Sequence, residues 1–353
     1  MLPIKLLPAS AWRSYLGGKM IAELHGKTAE DDHFPEEWII STVTARNVGR
    51  EHIVEGLSMT PDGVSLKELI EKDPEKMLGK AHFERYGSTT GVLLKLLDAA
   101  VRLAVQVHPS KEKAKELFNS EFGKTECWHI IGKREINGEK PYIYLGFKEG
   151  VTREHWKRMF DEQNIKGMLD CLHKFDVEIG DTFLIEGGQP HAIGTGCFLV
   201  EIQEPTDYTI RTERLSATGA TVPDVACHQG IGFEKMFDCF DYNGLSKEET
   251  FKRWHIEPKT QTVDGATVTE LVGYKDTPMF KMEMLEVTKS LKIEKGSVFS
   301  GLYVLNGNGT LNGEAVAKGD QFFLPADRDT VELSAADGDT FHSVYHIRRM
   351  AVR

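Results

Sequence analysis

The chain has 353 residues, 40% of them hydrophobic and 27% charged, which suits a folded globular protein with room for two hydrophobic cores and excludes a disordered or fibrous chain. A net charge of -11 argues against a general nucleic-acid binder, while a local cluster of cations can still hold a small anion. The five cysteines (Cys127, Cys171, Cys197, Cys227 and Cys239) are odd in number, widely spaced and free of any C-x-x-C pair, so they indicate neither a disulfide framework nor a thiolate zinc site.

In chain order, EEWIISTV (Glu36 to Val43) reads as a β-branched strand, and SLKELIEKDPEKMLG as a helix. That helix is opened by Ser65 as N-cap, carries Leu66, Leu69 and Ile70 on one face, and breaks at Pro74. GVLLKLLDAAVRLAVQVHPS is apolar but interrupted by Lys95, Asp98 and Arg102, which predicts two strands with a turn near Asp98 and Ala99. KEKAKELF follows as a helix, ECWHIIG and PYIYLGF as strands, and VTREHWKRMFDEQNIKGMLDCLHKF as one or two helices capped by Thr152. Gly180 to Arg211 reads as short strands between turns, and Ala217 to Gly232 as a connection. From about Trp254 the chain alternates strands and turns in a sandwich rhythm. Gly319-Asp320 before QFFLP echoes Gly180-Asp181 before FLIEGG, suggesting two copies of one β unit. No stretch approaches the roughly 18 apolar residues of a spanning helix, and the first residues lack a signal-peptide core. The expectation is a cytoplasmic protein with no membrane and no nucleic-acid partner.

Three segments carry the chemistry: Gln106-Val107-His108-Pro109, Gly123-Lys124-Thr125-Glu126-Cys127-Trp128, and Gly187-Gly188-Gln189-Pro190-His191-Ala192. Residues two apart on a strand share a face, so Gln106 and His108 can converge on one point, where Glu126 and His191 can join them from other strands. Two imidazoles, one carboxylate and one amide oxygen make a plausible Zn²⁺ site with room for a water or substrate oxygen. The spacing of Gly180, Glu186, Gly188 and His191 is that of the second cupin motif, with Glu186 where proline is common. Gln106 stands in place of the first histidine of the other motif.

With those departures, the chain resembles the type I mannose-6-phosphate isomerases of the short bacterial kind. LLKLLDA, VQVHPS, GKTECW, HAIGTG and, in EIQEPTDYTIR, Glu201, Asp207 and Arg211 carry the likeness, which runs from about Trp12 to Phe240. The resemblance implies a mostly β protein of two cupin-type, jelly-roll-like β-barrels with helices flanking the first. Residues 1–245 would form the metal-binding domain and 246–353 a metal-free β domain. It implies Gln106, His108, Glu126 and His191 as ligands of one Zn²⁺ per chain, and Arg211 as the active-site arginine. Two departures bear on substrate choice: Ile39 stands where the family tends to have glutamate, and Thr212-Glu213-Arg214 follows the arginine in place of Val-Tyr-Asp.

The expected reaction interconverts mannose 6-phosphate and fructose 6-phosphate through an enediol, with the metal as Lewis acid toward developing oxygen charge. Glu201 is read either as an acid/base or as a carboxylate that orients a ligand. Lys124, two residues before Glu126 and so on the same strand face, is expected to point its ammonium into the cavity, toward a sugar hydroxyl or the phosphate. Arg211 offers a planar fork for phosphate or enediolate oxygens. The alternatives are a non-catalytic metal-containing cupin that binds a sugar phosphate, and an iron-dependent dioxygenase, against which Gln106 speaks. No heptad or apolar stripe bears on oligomeric state.

Overall fold

The computed structural model describes residues 2–263, 265–336 and 341–349. The fold is mostly β, as expected, with helices packed on its first half. Each expected barrel is a facing pair of open antiparallel sheets, none closed on itself among the described residues.

A six-stranded sheet runs in the order Ala9–Ala11, Glu36–Ile39, Leu93–Asp98, Cys197–Gln203, Glu126–Lys133, Thr182–Ile185. Facing it is a five-stranded sheet ordered Ile210–Arg211, Gln106–Val107, His191–Ile193, Tyr142–Phe147, Leu172–Asp176. A seven-stranded sheet and a four-stranded sheet form the second pair, built from strands after Pro258 with one exception. Ile4–Leu6 closes the edge of the seven-stranded sheet by pairing with Gln321–Leu324.

The six-stranded sheet is buried on both faces, which explains why LLKLLD lacks the alternation of a half-exposed strand. Leu94, Leu96, Cys127, Val200 and Ile202 pack outward against Leu271, Met282, Tyr303 and Phe323 of the seven-stranded sheet. Leu97, Trp128, Ile130 and Leu199 face inward toward Ile143, Leu145 and Ile193 of the five-stranded sheet. The far side of that second sheet is covered by Trp156, Met159, Phe160, Met168 and Phe237 from the helical segments. A separate core between the last two sheets holds Leu285, Leu302, Phe322, Val331 and Leu333.

Local signals were read well. Ser65 and Glu68 form a reciprocal capping box before Leu66–Lys72, Pro74 opens the next helix, and Thr152 caps Arg153–Asp161. The echo near Gly180 and Gly319 has a physical basis: Asp181 accepts from the Glu178 amide at 2.8 Å and Asp320 from the Ala317 amide at 3.0 Å, each just before a strand. Two expectations need correction. The helical reading through Phe175 fails because the chain leaves the helix at Asp170, and Leu172–Asp176 becomes an edge strand paired with Tyr142–Phe147. The connection from Ala217 to Gly232 contains a helical turn, Asp224–His228. Among the described residues no helix is long and apolar enough to cross a membrane.

Candidate metal centre and active site

The inner faces of the first sheet pair bring the three sequence segments together. In the five-stranded sheet Arg211 lies directly opposite Gln106, and Gln106 directly opposite His191, so the three side chains form one cross-strand row. In the facing sheet Lys95, Glu201 and Trp128 form a second row, with Glu126 one step along beside Gln203. His108 follows the short Gln106–Val107 strand.

Two glycines allow this convergence. A Cβ on Gly123 would lie 2.8 Å from the Pro109 carbonyl oxygen, and one on Gly187 would lie 2.6 Å from the Ser110 Cα. The turn after His108 is thus clasped between the backbones of the other two segments, and the obstructing atoms are main chain that cannot rotate away. Gly187→Ala is therefore expected to destabilise the fold by about 1–3 kcal/mol, the usual cost of overpacking. The denaturant midpoint reads this out, and an unchanged midpoint would mean that the turn can shift freely.

His108, Glu126 and His191 are all buried, and one ligating atom from each lies within 4.8 Å of the others. His108 Nδ1 lies 2.8 Å from the Tyr208 carbonyl and His191 Nδ1 2.9 Å from the Gln189 carbonyl. A carbonyl can only accept, so both imidazoles carry their proton on Nδ1 and turn an Nε2 lone pair inward. Those lone pairs sit 3.2 Å from Glu126 Oε2 and 3.5 Å from Glu126 Oε1. Glu126 Oε1 is buried and has no hydrogen-bond partner. Two inward Nε2 lone pairs and a carboxylate with one unpartnered oxygen make a donor set that fits a divalent metal. Gln106 presents Nε2 to His191 Nε2 at 3.2 Å; ligation through its oxygen requires the amide to turn over.

Lys124 supplies a cation of its own, with Nζ 2.7 Å from His108 Nε2 and 2.9 Å from Glu126 Oε2. Its ammonium enters the cavity as expected, but from the loop before the strand, which begins at Glu126. The strand-face argument for Lys124 was therefore wrong in its route. The charges are tuned accordingly. Burial, then Lys124, brings the His108 imidazole down to about 3 against the pull of Glu126, and burial lowers His191 in the same direction. Both rings are neutral at physiological pH, the form that binds metals. Burial alone would raise Glu126, but Lys124 and the two histidines outweigh it and hold the carboxyl well below its ordinary range.

Beside this centre runs a buried chain of alternating charge that sequence reading did not find. Arg13 Nε lies 3.0 Å from Glu36 Oε2, Lys95 Nζ 3.7 Å from the same oxygen, and Lys95 Nζ 3.1 Å from Glu201 Oε1. Tyr15 and Trp38 donate to Glu36, and Trp128 donates to Glu201 Oε2 at 3.2 Å. Burial, then the charge of Glu126, pushes the Glu201 carboxyl up, with Lys95 opposing. The available signal was Lys95, the lone cation of an apolar strand, which had counted only as an interruption. Arg13 and Glu36 offered no such mark.

Glu36 behaves in the opposite way to Glu201. Burial would raise its carboxyl, but Arg13 and Lys95 prevail and hold it below the ordinary 4.5. Its folded value is thus below its unfolded one, so its stabilising contribution is complete above about pH 4.5 and declines as pH falls below that. In urea titrations Glu36→Gln is expected to be less stable than the parent at pH 7, with the gap narrowing at pH 4 and below. A gap independent of pH would contradict this.

Arg13, Lys95, Gln106, Lys124, Glu201 and Arg211 all border one cleft. Arg211 donates to the carbonyls of Ala226 at 3.0 Å and Thr209 at 3.3 Å, and among the described residues it forms no ion pair. Burial lowers its pKa, with Asp207 opposing. Glu186 points elsewhere, accepting from Trp254 and Arg253.

Residues 19–124 match the family model for the phosphomannose isomerase type I catalytic domain. The chain is 29% identical over 293 residues to a mannose-6-phosphate isomerase of Streptococcus mutans, covering 80% of this chain and 84% of that one. It is 27% identical over 317 residues to the Bacillus subtilis mannose-6-phosphate isomerase ManA, covering 88% and 89%. A crystal structure of a mannose 6-phosphate isomerase from Bacillus subtilis superposes with a TM-score of 0.74 at 23% identity, over 98% of this chain and 99% of that one.

Proposed function

We propose that this chain, which is similar to the type I phosphomannose isomerases, interconverts mannose 6-phosphate and fructose 6-phosphate at the His108, Glu126 and His191 centre. The observation that carries this reading is a metal-competent donor set next to a cleft, lined by Gln106 and Lys124, into which a half-buried guanidinium, Arg211, also opens without an ion-pair partner among the described residues. A partly desolvated cation without an anion favours an anionic ligand as its partner.

Zn²⁺, one per chain, would be held by Gln106, His108, Glu126 and His191. When bound, it supplies Lewis acidity toward the oxygens on C1 and C2 of the sugar. The residues around it divide the remaining work. Lys124, whose ammonium already lies at the centre, holds a sugar hydroxyl or the phosphate. Glu201, with a carboxyl that burial and the charge of Glu126 push up, suits transfer of a proton as the hydrogen moves between C1 and C2 through an enediol. Arg211 directs its fork at the developing oxygen charge or at the phosphate. The residue groups 1–245 and 246–353 are proposed as a metal-binding and a metal-free domain. A cytoplasmic location suits such a reaction.

The test is metal analysis of the purified protein together with a coupled assay for fructose 6-phosphate from mannose 6-phosphate. One zinc per chain with turnover supports the proposal. Bound metal and sugar-phosphate binding without turnover would instead favour the non-catalytic cupin, which retains the donor set and needs no proton transfer.

A further inference from the structure

The residue after next to Arg211, Glu213, takes no part in the chemistry above, yet it is 2% exposed and heavily engaged. Its two oxygens take Arg102 Nη1 at 2.6 Å and Nη2 at 2.8 Å, a bidentate pair, and its Oε1 also accepts from the Val105 amide at 2.7 Å. Arg102 is further tied to the Leu103 carbonyl at 2.8 Å. The Val105 carbonyl is in turn taken by the Thr212 amide and the Thr212 hydroxyl, both at 3.0 Å. Every polar backbone atom of Val105, the residue just before Gln106, is therefore bound by the two residues just after Arg211.

This matters because of how little else holds the pair together. Gln106–Val107 and Ile210–Arg211 are strands of two residues each, and their mutual register rests on two residue pairs. So short a ladder is marginal by itself. We propose that Glu213, clamped by Arg102, is a positioning residue that sets the register of Gln106 beside the metal centre and Arg211 beside the substrate. The inference rests on the isomerase reading for Arg211, but its Gln106 half stands apart from it.

Glu213→Gln keeps the shape and an oxygen for the Val105 amide while removing the charge that holds Arg102. At a temperature where the variant is fully folded, kcat for mannose 6-phosphate is expected to fall about 10- to 100-fold with KM within about threefold, the scale of small misplacements in a site. Zinc affinity, measured by competition with a chromophoric chelator, is expected to weaken about 10-fold, as for other residues that orient ligands. A variant that loses thermal stability but keeps kcat and zinc affinity within twofold would overturn the proposal, since the pair would then be structural only. If Glu213→Gln does not fold, the double variant Arg102→Met/Glu213→Met replaces the charges by packing and is expected to be stable with the same loss of kcat; full kcat there would equally overturn it. Should the parent protein itself not turn over mannose 6-phosphate, the isomerase reading fails, and the zinc affinity of Glu213→Gln alone decides, unchanged affinity sinking the clamp.

Discussion

His191→Ala is expected to fold, to purify without stoichiometric metal, and to lose roughly 10³-fold or more in turnover, since the Lewis acid is worth several kcal/mol of transition-state charge stabilisation. His191 is fully buried, and its Nε2 faces both Glu126 and the Gln106 amide. Alanine leaves Glu126 and His108 as an incomplete set beside Lys124, whose ammonium then neutralises the carboxylate without a metal. His108→Ala should behave likewise. The control is His129, which is also buried but lies on the other face of the Glu126–Lys133 strand and is bonded to Thr182. His129→Gln is expected to keep full metal content. Metal analysis separates the cases: a His191 variant with one tightly held ion would mean that the centre lies elsewhere.

Arg211→Ala is expected to cut kcat by about 10²–10³-fold, the scale for removing one donor aimed at developing oxygen charge, with metal content unchanged. If the guanidinium instead holds the phosphate equally in ground and transition states, the loss will fall on KM with kcat nearly intact. Stability adds an independent reading. Arg211 is half-buried and, among the described residues, hydrogen-bonds only to backbone carbonyls, so removing it relieves part of a desolvation cost, and the thermal midpoint is expected to hold or rise as activity collapses. Arg211→Lys keeps the charge but not the planar fork, and should recover only part of the rate. Full activity in both variants would remove Arg211 from the site and strengthen the binding-module reading.

Much of the centre was legible because its residues lie in short segments whose spacing reflects strand geometry. Gln106, His108, Glu126 and His191 could be selected since two-residue spacing and turn glycines are local properties. Glu201 and Arg211 came from the resemblance and do border one cleft with Gln106 and Lys124. The charge chain through Arg13, Glu36 and Lys95 was not legible, because its members come from separate segments and meet only when the six-stranded sheet forms. An arginine near the chain start and a glutamate in a strand carry no mark of burial. Pairing across the sheet is what keeps them charged there.

The sequence by itself determined many of the strands, where the first helices are capped, and which side chains offer a metal their lone pairs, since dihedral preference, capping and donor chemistry act over a few residues. Tertiary structure decided the rest. Leu172–Asp176 is a strand because an open sheet edge beside Tyr142–Phe147 outbids helix propensity. The histidine tautomers are set by carbonyls of Tyr208 and Gln189, the first of them a hundred residues away in sequence. Lys124 reaches the centre from a loop, and Glu213 locks Arg211 to Gln106 through Arg102. Each of these depends on which distant backbone supplies the partner, and that is settled only when the two sheets close on one another.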